Sequence, residues 1–135
     1  MIKEFTKLLE ARVTSLTMSG TQNLFAGSRP ASAPDVSVVV EEPFDDLPDA
    51  VLKDAVRRTF RVECRGNESD YFSARDVAMA IQGAIHAVMQ ITLPVVDSGA
   101  TYLVNISCSR PAAISPDEKG RPLVVVYAYL ETREN

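Results

Sequence analysis

Ala55-Val56-Arg57-Arg58-Thr59-Phe60-Arg61-Val62-Glu63-Cys64-Arg65 is the stretch that decides the fold. Val56, Phe60, Val62 and Cys64 fall on one side, interrupted by Arg58. Arg57, Thr59, Arg61, Glu63 and Arg65 fall on the other. A period of two over this length predicts a strand with one buried face and one wet or partner-facing face. Thr101 to Ser109 alternates in the same way, with Tyr102, Val104, Ile106 and Cys108 opposite Leu103, Asn105, Ser107 and Ser109. The β-branched run Val36 to Glu41 predicts a further strand, closed by Pro43. Leu123 to Glu131 is apolar on both faces: Val124, Val126, Ala128 and Leu130 on one, Leu123, Val125, Tyr127 and Tyr129 on the other.

Two segments carry the helical period instead. Ile2, Phe5, Leu9, Val13 and Leu16 recur at spacings of three and four, with Ser19-Gly20 as the stop. Ala74, Val77, Ala78, Ile81, Ala84, Ile85 and Val88 form a second stripe, which predicts a helix running to about Gln90. Asn67 or Ser69 would cap it, with Asp70 near its positive end. Loops are expected at 27–35, at the acidic stretch 43–53 with Asp45, Asp46 and Asp49, at 92–99, and at a long hairpin connection from Pro111 to Arg121. Gly120 supplies the positive φ in that hairpin. The expected fold is α+β: a mainly antiparallel sheet of about four to five strands with two helices packed on one face.

Composition fits one domain spanning 1–135. Apolar residues are 46% and charged residues 24% of the 135, which suits a globular core rather than disorder. A net charge of −4 argues against a domain that coats nucleic acid nonspecifically. No apolar run approaches the ~20 residues of a membrane span. The charged N-terminal segment does not read as a signal peptide. Cys64 and Cys108 read as reduced thiols on the apolar sides of strands.

The residues offer little to catalysis. His86 is the only histidine and faces away from the helical stripe. Neither cysteine has a Cys-x-x-Cys partner to lower its pKa. Asp117-Glu118-Lys119-Gly120 lacks the ligand spacing of a calcium loop, and no phosphate-binding glycine loop or Gly-x-Ser-x-Gly elbow is present. The reading is therefore a non-enzyme without metal or cofactor. Two features stand out. Arg57, Arg61 and Arg65, with Glu63 among them, form a charged strand face suited to contact, since arginine forms bidentate carboxylate pairs and is enriched in interfaces. The last strand carries Val125, Tyr127 and Tyr129 on a face that two helices on the other side leave uncovered. Phe72, Met79 and His86, seven residues apart on the back of the second helix, form a secondary patch. Together these favour subunit association.

Three passages carry a resemblance to a known family. The first is Asn23-Leu24-Phe25-Ala26-Gly27 with Arg29-Pro30 and Pro34-Asp35, leading into Val36 to Glu41. The second is Phe60-Arg61-Val62-Glu63-Cys64-Arg65-Gly66, leading into Tyr71, Ala74, Ala78, Ile81 and Ile85. The third is Ser109-Arg110-Pro111, Asp117-Glu118-Lys119-Gly120-Arg121 and the strand ending near Arg133. In their order and spacing the chain resembles the small phage tail terminator, or minor capsid, proteins that close the tail tube at the neck. The resemblance implies a structural virion protein, assembled in the host cytoplasm as a homo-oligomeric ring of six. Such a ring would end tube polymerisation and join the tail to head-completion proteins, with DNA only passing through its lumen. The alternative reading is another head–tail connector component, such as a head-closure or stopper protein, which shares the small α+β size and the lack of catalytic chemistry. On this chain the expected contact residues are Arg57, Arg61, Glu63, Arg65, Phe72, Met79, Val125, Tyr127 and Tyr129. The acidic stretch from Glu41 to Asp49 departs from the glycine-rich segment the resemblance implies there.

Overall fold

A computed structural model describes residues 2–43, 56–93 and 102–134. The acidic loop expected over 44–53 and most of the loop expected over 92–99 lie outside the described residues. The order is α1 (Ile2–Arg12), β1 (Leu24–Ala26), β2 (Ser37–Glu41), β3 (Val56–Arg65), α2 (Tyr71–Ile85), β4 (Val88–Leu93), β5 (Tyr102–Cys108), β6 (Ala112–Ile114) and β7 (Leu123–Glu134).

These seven strands form one sheet with the order β1-β2-β3-β7-β5-β4, and β6 continues alongside β7 beyond the end of β5. β1 and β2 are parallel and the other pairings are antiparallel. The fold is thus α+β, but the four-to-five-strand antiparallel sheet expected from the sequence is corrected to seven strands in a curled, mixed half-barrel. β3 and β7 pair along ten residues, from Val56 opposite Thr132 to Arg65 opposite Leu123. That pairing is the spine of the sheet.

Three strands escaped the period-two reading, each for a physical reason. β1 and β6 have three residues apiece, too few to show alternation. β4 was hidden by the helical stripe, because Val88 continues the spacing of Ala84 and Ile85. The helix instead stops at Ile85: His86 turns extended (φ −65°, ψ 134°) and Ala87 takes φ +61°. No glycine or proline marks that break. α1 also ends early, at Arg12, and Val13 and Leu16 stay buried in the irregular turn that follows. The side chain of Asn23 holds this turn, accepting the Thr17 N–H (2.8 Å) and donating to the Ser15 carbonyl (2.8 Å).

The core lies between the helices and the concave face of the sheet. Phe5 of α1 stacks on Phe60 of β3, with ring centroids 4.9 Å apart and planes 15° apart. Around them pack Leu8, Leu9, Val38, Val62, Ile81, Ile85, Val104, Ile106, Val126 and Leu130, all buried. α1 touches β1 and β2 near one margin of the sheet and β4 at the other, so it bridges the opening of the half-barrel. α2 packs across β3, β7 and β5.

The turn from β3 into α2 is tight. Asp70 is the N-cap of α2, in place of the expected Asn67 or Ser69, and its side chain makes no capping bond. Ser73 Oγ ties the turn instead, accepting the Asn67 N–H and donating to the Asp70 carbonyl. Gly66 sits beneath this network. A Cβ there would lie 2.2 Å from Ser73 Oγ and 2.7 Å from the Ala74 backbone nitrogen. Gly120 adopts φ +73°, as its hairpin position requires.

Because the obstructing atoms at Gly66 include helix backbone, side-chain rotation does not relieve the clash. Gly66→Ala is expected to lower stability by about 1–3 kcal/mol, read as a fall in the urea midpoint with an unchanged slope. An unchanged midpoint would contradict the close approach.

Candidate interaction surface

The convex, helix-free face of the sheet holds most of the residues that the sequence singled out. The ladder places Glu63 opposite Val125, Arg61 opposite Tyr127, Thr59 opposite Tyr129 and Arg57 opposite Glu131. β2 adds Glu41 opposite Arg61 and Val39 opposite Glu63. The segment 27–36, which joins the parallel strands β1 and β2, is drawn onto this face by its polar contacts.

Arg29 fixes that segment. Its Nη1 donates to Glu63 Oε1 (3.0 Å), its Nε to Ser37 Oγ (2.9 Å), and its Nη2 to the carbonyls of Glu63 (3.1 Å) and Ser37 (3.2 Å). Glu63 Oε2 accepts from Arg61 Nη1 at 2.7 Å, and the same guanidinium reaches Glu41 at 3.5 Å. Burial by itself would raise the Glu63 pKa. The hydrogen bonds from Arg61 and Arg29 outweigh it and hold the carboxyl below the usual glutamate range. Arg65 is buried, donating to the carbonyls of Asp35 (3.0 Å) and Pro34 (2.9 Å). Arg121 bonds Asp117 (2.8 Å) and Asp35 (3.0 Å), tying the hairpin tip to the same segment.

The charged strand face is therefore largely occupied within the protomer. Glu63 and Arg65 clamp the chain's own crossover segment, Arg61 bonds Glu63 and Glu41 beside it, and Arg57 lies over the Tyr129 ring, 5.0 Å from its centroid. The apolar residues of this face divide as well. Val125 is buried, in a row with buried Phe25 and Val39 that also contains Glu63, bonded by Arg29. Tyr129 is half-buried. Tyr127 is 38% exposed, its backbone N–H donating to Ser109 Oγ (2.9 Å).

A second exposed patch lies on α2, away from the sheet. Phe72 is 62% and Met79 43% exposed, and Tyr71 packs edge-on against Phe72 with centroids 5.7 Å apart. His86 is exposed at the end of the same helix, and its Nδ1 accepts the Cys108 N–H at 3.0 Å. Burial pushes the Cys64 thiol up to about 12 and the Cys108 thiol to about 11, so both are protonated at neutral pH. Among the described residues, no three of His, Cys, Asp and Glu form a metal-ligating group.

Arg29 and Arg121 belong to the passages that carry the resemblance, but alternation gives neither a place on this face. Arg29 lies in a proline-rich loop with no periodicity to give it a direction. Arg121 had a usable signal, since Asp117 precedes it by four residues across a turn.

No family model and no curated protein matches the chain. Among solved structures it is similar to a chain of the virion of a native gene transfer agent particle. The TM-score is 0.65 over 97% of this chain and 96% of that one, at 10% sequence identity. At this identity the likeness is one of fold.

The clamp carries a pH signature. Glu63 has a lower pKa in the folded state than the ~4.3 of an unfolded glutamate. Its stabilisation is therefore full above that value and is lost as pH falls through the folded pKa. Glu63→Gln is expected to cost roughly 1–2 kcal/mol at neutral pH, between the limits for surface and buried pairs. Its stability should also fall less steeply than that of the wild type below about pH 4. Denaturant melts across pH 3–7 check this, and parallel curves for the two proteins would refute it.

Proposed function

We propose that the chain is a structural protein of a phage-like virion, acting as a ring at the end of the tail tube. There it would stop tube growth and present a surface to the head-completion proteins. The observation that carries the virion part is the end-to-end fold likeness to a chain of a gene transfer agent virion. The tail-terminator role rests on the three passages of sequence resemblance, which fall on β1–β2, on the β3–α2 turn and on the β6–β7 hairpin.

The surface chemistry suits contact. His86, Cys64 and Cys108 have structural surroundings: a ring nitrogen bonded to backbone and two thiols held protonated. A closed ring of more than two subunits needs two different patches on each subunit, one meeting the other around the axis. The protomer offers such a pair on opposite sides, Tyr127 and Tyr129 with Arg57 on the convex sheet face, and Phe72 and Met79 on α2. Arg61, Glu63, Arg65 and Val125 serve this surface indirectly, by fixing the segment beside it. No cofactor or membrane enters this role.

Tails assembled without this protein, imaged by electron microscopy, should be overlong and unattached to heads. Tails of normal length joined to heads would overturn the terminator reading. Tyr127→Asp and Phe72→Asp, both at exposed sites, should leave the melting curve within about 0.5 kcal/mol of the wild type and abolish incorporation into particles.

A further inference from the structure

β6 is an unfinished edge. Ala112, Ala113 and Ile114 pair with Val125, Val124 and Leu123 of β7 on one side. β4, the neighbour of β5, pairs no further in this direction than Val88 with Ile106. Among the described residues, nothing pairs with the other side of β6, and its three residues are all exposed. A strand paired on one side leaves alternate backbone N–H and C=O groups free to accept another strand.

A cleft of about 250 Å³ opens beside this edge. Tyr71, Ala113, Ile114, Pro116, Pro122 and Leu123 supply its apolar lining. The volume falls below the ~300–1,000 Å³ of small-molecule sites and suits one large side chain. Asp70 stands at the same cleft, exposed, with a carboxylate that makes no capping bond. Its neighbours at the cleft are uncharged, so it is an acidic point beside an apolar hole.

We propose that β6 and this cleft receive a short extended segment of a partner polypeptide by strand addition. The backbone edge selects an extended chain, the cleft takes one bulky aliphatic or aromatic side chain, and Asp70 pairs with a basic residue two positions away, on the same face of the added strand. Pro111 and Pro116 bracket β6 and cannot donate backbone hydrogen bonds, which limits the added strand to about three paired residues. Recognition of this kind draws affinity from main-chain bonds and specificity from the pocket. The proposal is independent of the terminator reading, because the edge and cleft are properties of the isolated protomer.

The test is amide exchange across residues 109–123 of the full chain, with and without a synthetic peptide Thr-Val-Leu-Val-Arg-Thr at roughly 1 mM. Protection of the 112–114 amides is expected. It should be lost with a peptide carrying Ser for Leu and Pro for the second Val, and weakened at least tenfold by Ile114→Lys. Asp70→Asn should weaken the Arg peptide and leave unchanged a peptide with Gln in its place. Absence of protection with the first peptide, or equal protection by the substituted one, overturns the proposal. Ile114 is exposed, so its variant should melt as the wild type does, separating loss of binding from loss of fold.

Discussion

A single carboxylate on the wrong side of the sheet organises the convex face. Glu63 points away from the helices, where a strand residue would ordinarily meet water. Its two oxygens instead accept from Arg29 and Arg61, one from the crossover segment and one from its own strand. Charge-assisted bonds of this kind are about twice as strong as neutral ones. They hold 27–36 against the row of β3 that contains Glu63, where Phe25, Val39 and Val125 are all buried. The parallel pairing of β1 with β2 depends on this, because a three-residue strand at the sheet margin has little hold of its own.

The same clamp explains which parts of the structure could be read from the sequence. β3 and β5 are legible because long alternating runs have one dominant reading, and β7 because a long β-branched and aromatic run apolar on both faces suits a central strand. The inward sets Phe60, Val62, Cys64 and Val124, Val126, Ala128, Leu130 are indeed buried. β4 was illegible because its first residue sits in phase with the preceding helix, and the break falls on alanine in a left-handed conformation. That choice is made by packing of Leu93 and Ile91 into the core, a tertiary effect that overrides local preference.

The site was legible as a location and less so as a set of roles. Alternation correctly put the arginines on the helix-free face. It carried no information about Arg29, which arrives from a loop and converts an apparently open cationic strand into an internal network. Val125 shows the same limit, since it faces away from the helices and is nonetheless buried within the protomer. Of the apolar residues expected at contacts, Tyr127 on one side and Phe72 with Met79 on the other stay exposed, and Tyr71, Met89 and Ile114 join them among the exposed large apolar side chains.

The first helix has a consequence for how the chain comes to be folded. It precedes every strand of the sheet in the chain and so is synthesised before them, yet it rests against β4 as well as against β1 and β2. It must wait, amphipathic and unpartnered, until residues far along the chain have emerged. Contacts this distant in sequence slow the search for the native state. The keystone of the barrel mouth is thus made before the strands it closes and seated only once the last of them has arrived.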